Sequence, residues 1–185
     1  MLKFFGFIIL GIFLASCSAE VEVDNGEETS EARSAEAIQE DIKESREKFR
    51  ETDDRREKTE ITINLIGYFN DHVEHHPDHE NSPEYLYQAA NLSAQELDDF
   101  QQAIGLFEEL VEKYPDHEKA PEAMFTIAYL YETGLDNPSR AEMIFEEFIE
   151  KYPDHDLKDD AVFAIEIMDK DPADVVREFQ QREDS

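Results

Sequence analysis

The chain has one cysteine and few basic residues among its 185. With Cys17 alone, no internal disulfide can form, and the sequence beyond it offers no thiol for catalysis or metal binding. Lysine and arginine number 17 against 47 aspartates and glutamates, a formal net charge of −30. So acidic a surface repels nucleic acid phosphates, which argues against a nucleic-acid partner. It favours basic or neutral partners, whose attraction weakens as salt rises.

Motifs of common enzyme sites are also missing from the sequence. There is no glycine-rich phosphate loop and no Gly-x-Ser-x-Gly elbow. Paired acids occur throughout, and solvated helix faces explain them without any catalytic role. We therefore expect no enzymatic activity and no cofactor.

Long hydrophobic runs are absent after the first 16 residues. Lys3 precedes an apolar run over residues 4–15, which is shorter than the roughly twenty residues that a membrane-spanning helix needs. The run ends in Leu-Ala-Ser-Cys, which resembles the cleavage box of bacterial lipoproteins. The resemblance implies a signal peptide over residues 1–16 and acylation of Cys17, which anchors the protein to the lipid bilayer. An ordinary secretory signal with an incidental cysteine is the alternative.

Two segments precede the hydrophobic part of the chain. Residues 17–30 contain acids, no base and Gly26, so beyond the lipidated cysteine we expect a disordered acidic spacer. Residues 31–58 lack glycine and proline and predict a charged helix. A thin seam at alternating spacings of three and four consists of Ala35, Ile38, Ile42, Ser45, Phe49 and Thr52. The seam allows a short coiled coil, or a helix lying against the first repeat.

The tripeptide Pro-Asp-His occurs three times, at intervals of 38 residues. Residues 77–114 and 115–152 are identical at seventeen of thirty-eight positions. Such a period is typical of stacked repeats, each one a pair of antiparallel helices. The sequence therefore predicts an all-α fold with a short α-solenoid as the repeat domain. Its predicted parts are a degenerate leading helix 60–76, units 77–114 and 115–152, and a partial unit and cap 153–185, within a domain 59–185.

The residues of the second unit resemble the tetratricopeptide repeat. Small residues Ala128 and Ala141 occupy the expected close approach of its two helices, and Pro153 closes the unit. The stretched units, over about residues 60–170, are similar to two groups of bacterial envelope proteins. These are the repeat lipoprotein of the outer-membrane β-barrel assembly machinery and the repeat protein associated with the Tol-Pal system.

The resemblance implies a concave groove lined by the first helix of each unit. Three rows of equivalent positions follow, one aromatic, one acidic and one mixed. They are Tyr87, Phe125 and Phe163; Glu84, Glu122 and Asp160; and Asn91, Tyr129 and Ile167. These rows suit a peptide with apolar and basic side chains. Alternatively, the rings pack between units and the acids interact with helix dipoles. No lysine or arginine occupies the rows, which argues against capture of a C-terminal carboxylate.

Four histidines, at positions 72, 75, 76 and 79, lie in or just before the first tripeptide, and together they could supply the ligands of a zinc site. His79 belongs to the repeated tripeptide, whose copies at His117 and His155 have no neighbouring histidine. Packing or capping within the loop explains all three copies together. We therefore expect no metal site.

Taken together, these features predict a membrane-anchored repeat scaffold that binds envelope proteins or peptides in the bacterial outer membrane. We expect it to face the periplasm, with surface exposure as the alternative. A rival interpretation is a structural lipoprotein that self-associates through the helix 31–58 and has no peptide-binding groove.

Overall fold

The computed structural model describes residues 33–168 and 170–183. The predicted signal peptide 1–16, the lipidated Cys17 and the acidic spacer to residue 30 lie outside the described residues. Within the described ranges the secondary structure consists of eight α-helices, with no strand. None of these helices is long and apolar enough to cross a bilayer. The prediction of an all-α fold is confirmed.

The helices follow one another along the chain, joined by short loops, and pack in adjacent pairs. They are α1 Ala35–Glu51, α2 Arg55–His75, α3 Ser82–Gln95, α4 Phe100–Lys113, α5 Lys119–Thr133, α6 Pro138–Lys151, α7 Lys158–Met168 and α8 Pro172–Glu183. From α1 to α7, each helix packs against the next one in the chain. Helix α3 also contacts α5, so the first helices of consecutive units lie side by side. This arrangement is a short helical-repeat solenoid.

The charged segment 31–58 does not form one helix, contrary to the sequence prediction. Helix α1 ends at Glu51, and α2 begins at Arg55. The side chain of Asp54 accepts hydrogen bonds from the backbone N–H groups of Arg56 and Glu57, both at 2.9 Å. These bonds satisfy donors that a new helix leaves unpaired, so Asp54 starts α2 before the apolar pattern begins.

The apolar seam of α1 is covered by the repeat domain. Ala35, Ile38, Ile42 and Ser45 are buried, and α1 packs along α2. The sequence left open whether this seam forms a coiled coil or lies against the first repeat. The contacts correspond to the second arrangement, because the residues that would face a coiled-coil partner already face α2.

The 38-residue repeat is also visible in the hydrophobic core. Phe69, Phe107 and Phe145 lie at 38-residue intervals, and each is at most 1% exposed. Ala128 and Ala141 are fully buried where α5 meets α6. Since interiors are packed about as densely as organic crystals, these alanines fix how closely the two helices approach.

The three Pro-Asp-His loops share one local structure. In each, the histidine Nδ1 accepts a hydrogen bond from the backbone N–H two residues later: Asn81 onto His79 at 3.1 Å, Lys119 onto His117 at 3.2 Å, and Leu157 onto His155 at 3.2 Å. Each histidine also donates its backbone N–H to the carbonyl three residues earlier. The tripeptide is therefore a loop-capping motif that ends one helix pair and starts the next.

Candidate functional site

A cleft of about 320 Å³ lies between α1, α2 and α3. Its apolar lining comes from all three helices, and two members of that lining, Leu65 and Phe69, belong to the buried core. The remaining apolar members are half-buried: Phe49, Tyr87 and Leu92. Its polar and charged lining consists of Arg46, Arg50, Glu84, Gln88 and Asn91. The volume falls within the range of pockets that bind small molecules or side chains, about 300–1,000 Å³.

The structure brings the first members of all three predicted rows into this cleft. Glu84, Tyr87 and Asn91 lie on α3 and line it together. The second members lie on α5, which contacts α3, and the third members lie on α7. A hydrogen bond of 3.1 Å from the Tyr87 hydroxyl to Oε2 of Glu122 joins the aromatic row of one unit to the acidic row of the next.

The first two rings of the aromatic row pack against the second helix of their units and still keep part of their surface exposed. The Tyr87 ring meets Phe107 edge-on with centroids 5.6 Å apart. Phe125 meets Phe145 at 5.2 Å and Phe148 at 5.8 Å. Tyr87, Phe125 and Phe163 are all half-buried. Such rings close the interface between helices and keep surface that a partner can contact.

The acidic row differs from one unit to the next. Glu122 forms a 2.9 Å ion pair with Lys119 and accepts the Tyr87 hydroxyl, and these bonds, with that to Lys119 the stronger, lower the pKa of its carboxyl. Glu84 accepts a 2.7 Å hydrogen bond from the Gln88 amide. Asp160 is exposed. Of these three acids, Asp160 therefore meets water most directly.

The mixed row is most accessible at its middle member. The Asn91 amide donates to the Tyr87 carbonyl at 2.8 Å, an i→i−4 contact along α3. Tyr129 is 52% exposed. Ile167 is half-buried on α7. Tyr129 is thus the member of the three rows best placed to touch another molecule.

Basic side chains reach the site from α1, which carries none of the row positions, and from the start of α5. Arg46 and Arg50 enter the cleft from α1, and the Lys119 ammonium lies 5.0 Å from the centre of the Tyr87 ring. The Arg46 guanidinium lies 5.4 Å from the centre of the Phe69 ring and hydrogen-bonds to Gln88. The predicted rows begin at α3 and therefore omit the two arginines. The available signals were the 38-residue period, which places Arg46 before Glu84 and Phe49 before Tyr87, and the i, i+4 spacing of Arg46 and Arg50.

His72 lies beneath the loop that follows α2 and is fully buried. Its Nδ1 is 3.2 Å from the Ser82 hydroxyl, and its Nε2 is 3.5 Å from the Gln39 amide nitrogen of α1. That amide nitrogen is also 3.3 Å from Nε2 of His79. Burial, helped by the nearby His79 and His76, lowers the pKa of His72 to about 4.

The other two histidines of the cluster make separate contacts. His76 hydrogen-bonds through Nε2 to the Arg33 carbonyl at 2.8 Å, and His75 contacts Asp71 one turn earlier on α2. Over residues 33–168 and 170–183, no group of three or more His, Cys, Asp or Glu side chains is arranged to hold a metal ion. The cluster instead fastens the start of α1 to the first loop.

Comparison with known proteins gives one family. The sequence model of YfiO, described as an outer membrane lipoprotein, matches residues 72–182. The match covers α3 to α7 completely and most of α8. No curated protein matches the chain.

Proposed function

Because the chain belongs to the YfiO family of outer membrane lipoproteins, we propose that it is an anchored scaffold whose row-lined face captures segments of other envelope proteins. The family places it among tetratricopeptide-type lipoproteins of the cell envelope, related to components of the β-barrel assembly machinery. Binding is its mechanism, with no covalent chemistry. The observation that carries the proposal is the cleft at which Glu84, Tyr87 and Asn91 converge.

Accessible aromatic surface supports capture of a peptide. The Tyr87 and Phe125 rings are held by packing, so they lose little conformational freedom when a ligand arrives. Tyrosine and other aromatic residues are also enriched among the side chains that dominate binding energy at interfaces. Beyond the cleft, Tyr129 and Asp160 extend this surface along α5 and α7. We propose apolar and basic side chains as the ligands of that extension.

Anchoring and orientation complete the proposal. Acylation of Cys17 holds the protein on the membrane, because each buried methylene adds about 0.8 kcal/mol to partitioning. We propose the acidic residues that follow Cys17 as the spacer between the lipid anchor and the repeat domain. We propose that the domain faces the periplasm, where envelope proteins in transit are accessible.

Photo-crosslinking in cells that express the full lipoprotein tests the binding surface. A photoreactive phenylalanine replaces Tyr129, and in a matched control it replaces Ile63 on α2, which is 56% exposed and belongs to none of the rows. We expect discrete adducts from position 129 that diminish when Tyr87 and Phe125 are both changed to alanine. Tyr87→Phe should keep most of the adducts, since it retains the ring and loses only the hydroxyl.

The same crosslinking experiment also tests the alternative role, that of a self-associating structural lipoprotein. If position 129 crosslinks only to a second copy of the chain, the protein is a self-associating element. Analytical ultracentrifugation of the detergent-solubilised protein then gives its stoichiometry. Equal adduct yields from positions 129 and 63 would also refute the proposal, because the rows would have no preference for a partner.

A further inference from the structure

We infer that the cleft between α1, α2 and α3 takes a partner segment in which an acidic side chain stands beside a bulky apolar one. The inference rests on the proposed function and names the chemistry at one end of the same surface. It differs from the expectation for the rows alone, which suit basic and apolar ligands. The difference comes from α1, whose arginines the rows do not include.

The apolar half of the ligand is indicated by the lining of the cleft. Leu65 and Phe69 are 3% and 1% exposed. Phe49, Tyr87 and Leu92 surround them and are only half-buried, so their outward surfaces remain in water. Covering apolar surface contributes about 25 cal/mol per Å². A leucine or phenylalanine side chain is therefore favoured over a small or polar one.

The acidic half is indicated by Arg46 and Arg50. They lie four residues apart on α1, hence on the same face, and both line the cleft. The Nε of Arg50 donates to the Arg46 carbonyl at 3.2 Å. In the part of the chain that the structure describes, neither guanidinium forms an ion pair within 4.0 Å, although α1 is rich in acids. Lys43 and Lys48 on the same helix do pair, with Glu40 and Glu44.

One carboxylate of the chain opposes them across the cleft. Glu84 accepts from the Gln88 amide, and Gln88 in turn accepts from Arg46, so one hydrogen-bonded series crosses the wall from acid to arginine. Two cations against one anion leave the lining with a surplus of one positive charge. Arginine has five donors in a planar fork that matches a carboxylate, so each guanidinium retains N–H groups for a ligand.

The strong net charge of the whole chain does not reverse this preference. At physiological ionic strength the screening length is about 8 Å, so charges elsewhere on the surface act weakly on a group inside the cleft. Close charge-assisted hydrogen bonds to the two arginines then give the cleft its preference for a negatively charged ligand. The ligand needs both features together, because the positive groups and the apolar lining belong to one cavity.

The test uses the full acylated protein in detergent and fluorescent peptides with both ends blocked. The first peptide has an Asp-Phe pair within glycines and serines, and the others have Asn-Phe, Asp-Ala or Lys-Phe in its place. Fluorescence anisotropy measures each affinity. We expect Asp-Phe to bind at least about tenfold more tightly than any of the others, a difference of about 1.4 kcal/mol.

Substitutions assign the effect to the cleft. Changing Arg46 and Arg50 together to glutamine should abolish the preference for Asp-Phe over Asn-Phe. Changing Arg55 and Arg56 to glutamine removes the same charge at the start of α2, outside the cleft, and should leave the preference intact. Changing Arg46 and Arg50 to glutamate should transfer the preference to Lys-Phe, a gain that a misfolded variant cannot show.

Three results would overturn the inference. They are equal binding of Asp-Phe and Asn-Phe, stronger binding of Lys-Phe by the unmodified protein, and binding only when the C-terminus of the peptide is left free. Crosslinking at position 129 separates this outcome from failure of the proposed function. If adducts there persist while the peptide preference is absent, the scaffold binds partners and only the acidic ligand is wrong.

Discussion

Two glycines in helix interiors provide a sharp test of the packing. Gly67 lies within α2 and Gly105 within α4, at equivalent positions of consecutive units. A Cβ atom added at either position would meet nothing within 4 Å. Both residues are exposed, and neither has a positive φ. Neither steric crowding nor backbone conformation therefore requires glycine at these two sites.

Replacing either glycine with alanine should stabilise the protein. Glycine is less favourable than alanine in a helix interior by about 0.8–1.0 kcal/mol, because it loses more backbone freedom on folding. The two sites lie on different helices, and an added Cβ at either would meet nothing within 4 Å, so their effects should add to about 2 kcal/mol. For a domain of this size, each kcal/mol raises the melting temperature by about 2–4 °C.

Gly134 is the matched control, with the opposite expected sign. It caps α5 with φ −96°, so its backbone tolerates alanine. A Cβ there would lie 2.8 Å from two ring carbons of Phe100 and 2.9 Å from the Leu130 carbonyl oxygen. Something must shift, and overpacking of this kind typically costs about 1–3 kcal/mol.

Urea unfolding of the three single variants, followed by circular dichroism, measures these changes. The slope of the transition should stay constant, since the variants expose the same surface on unfolding. A destabilised Gly67→Ala or Gly105→Ala would refute the reasoning, because it would mean that another element covers those helix faces. A stabilised Gly134→Ala would refute the close approach of Phe100 to α5.

Three further predictions concern buried positions. The pKa of His72 is about 4 in the folded protein and near 6.5 in the unfolded chain, so the neutral imidazole supports folding fully above pH 6.5 and less as pH falls. We expect the free energy of unfolding to drop by about 2 kcal/mol between about pH 7 and about pH 5. Urea titration at each pH measures this drop, which should be absent in His72→Gln. Ala128→Leu should cost about 1–3 kcal/mol in the same assay, whereas Tyr129→Leu, on the exposed side of the helix, should change stability by less than about 0.5 kcal/mol. Ser93→Ala should cost about 1 kcal/mol by differential scanning calorimetry, because the buried Ser93 hydroxyl lies 2.8 Å from two acceptors, the Ala89 carbonyl and Oε1 of Gln102. An unchanged melting temperature would show that this hydroxyl adds nothing to stability.

The period of the sequence predicted most of the repeat domain because the interactions that fix it are local or repeat with the chain. Phe107 and Phe145 are buried as their spacing indicates, and Pro-Asp-His ends a helix pair each time. The start of a helix was harder to predict where it depends on a single side chain. Asp54 begins α2 before any apolar periodicity, so the predicted helix 31–58 extended across a break.

The candidate site was likewise predictable from the sequence only in part. The sequence by itself determined the three rows, because residues that share a repeat position also share a helix face. Only the tertiary structure decided that α1 packs beside α2 and contributes Arg46, Phe49 and Arg50 to the cleft at the first row members. The predicted rows begin at α3, and the register of α1 depends on burial of Ile38 and Ile42 in its packing with α2. That packing is non-local, and it sets the charge of the cleft.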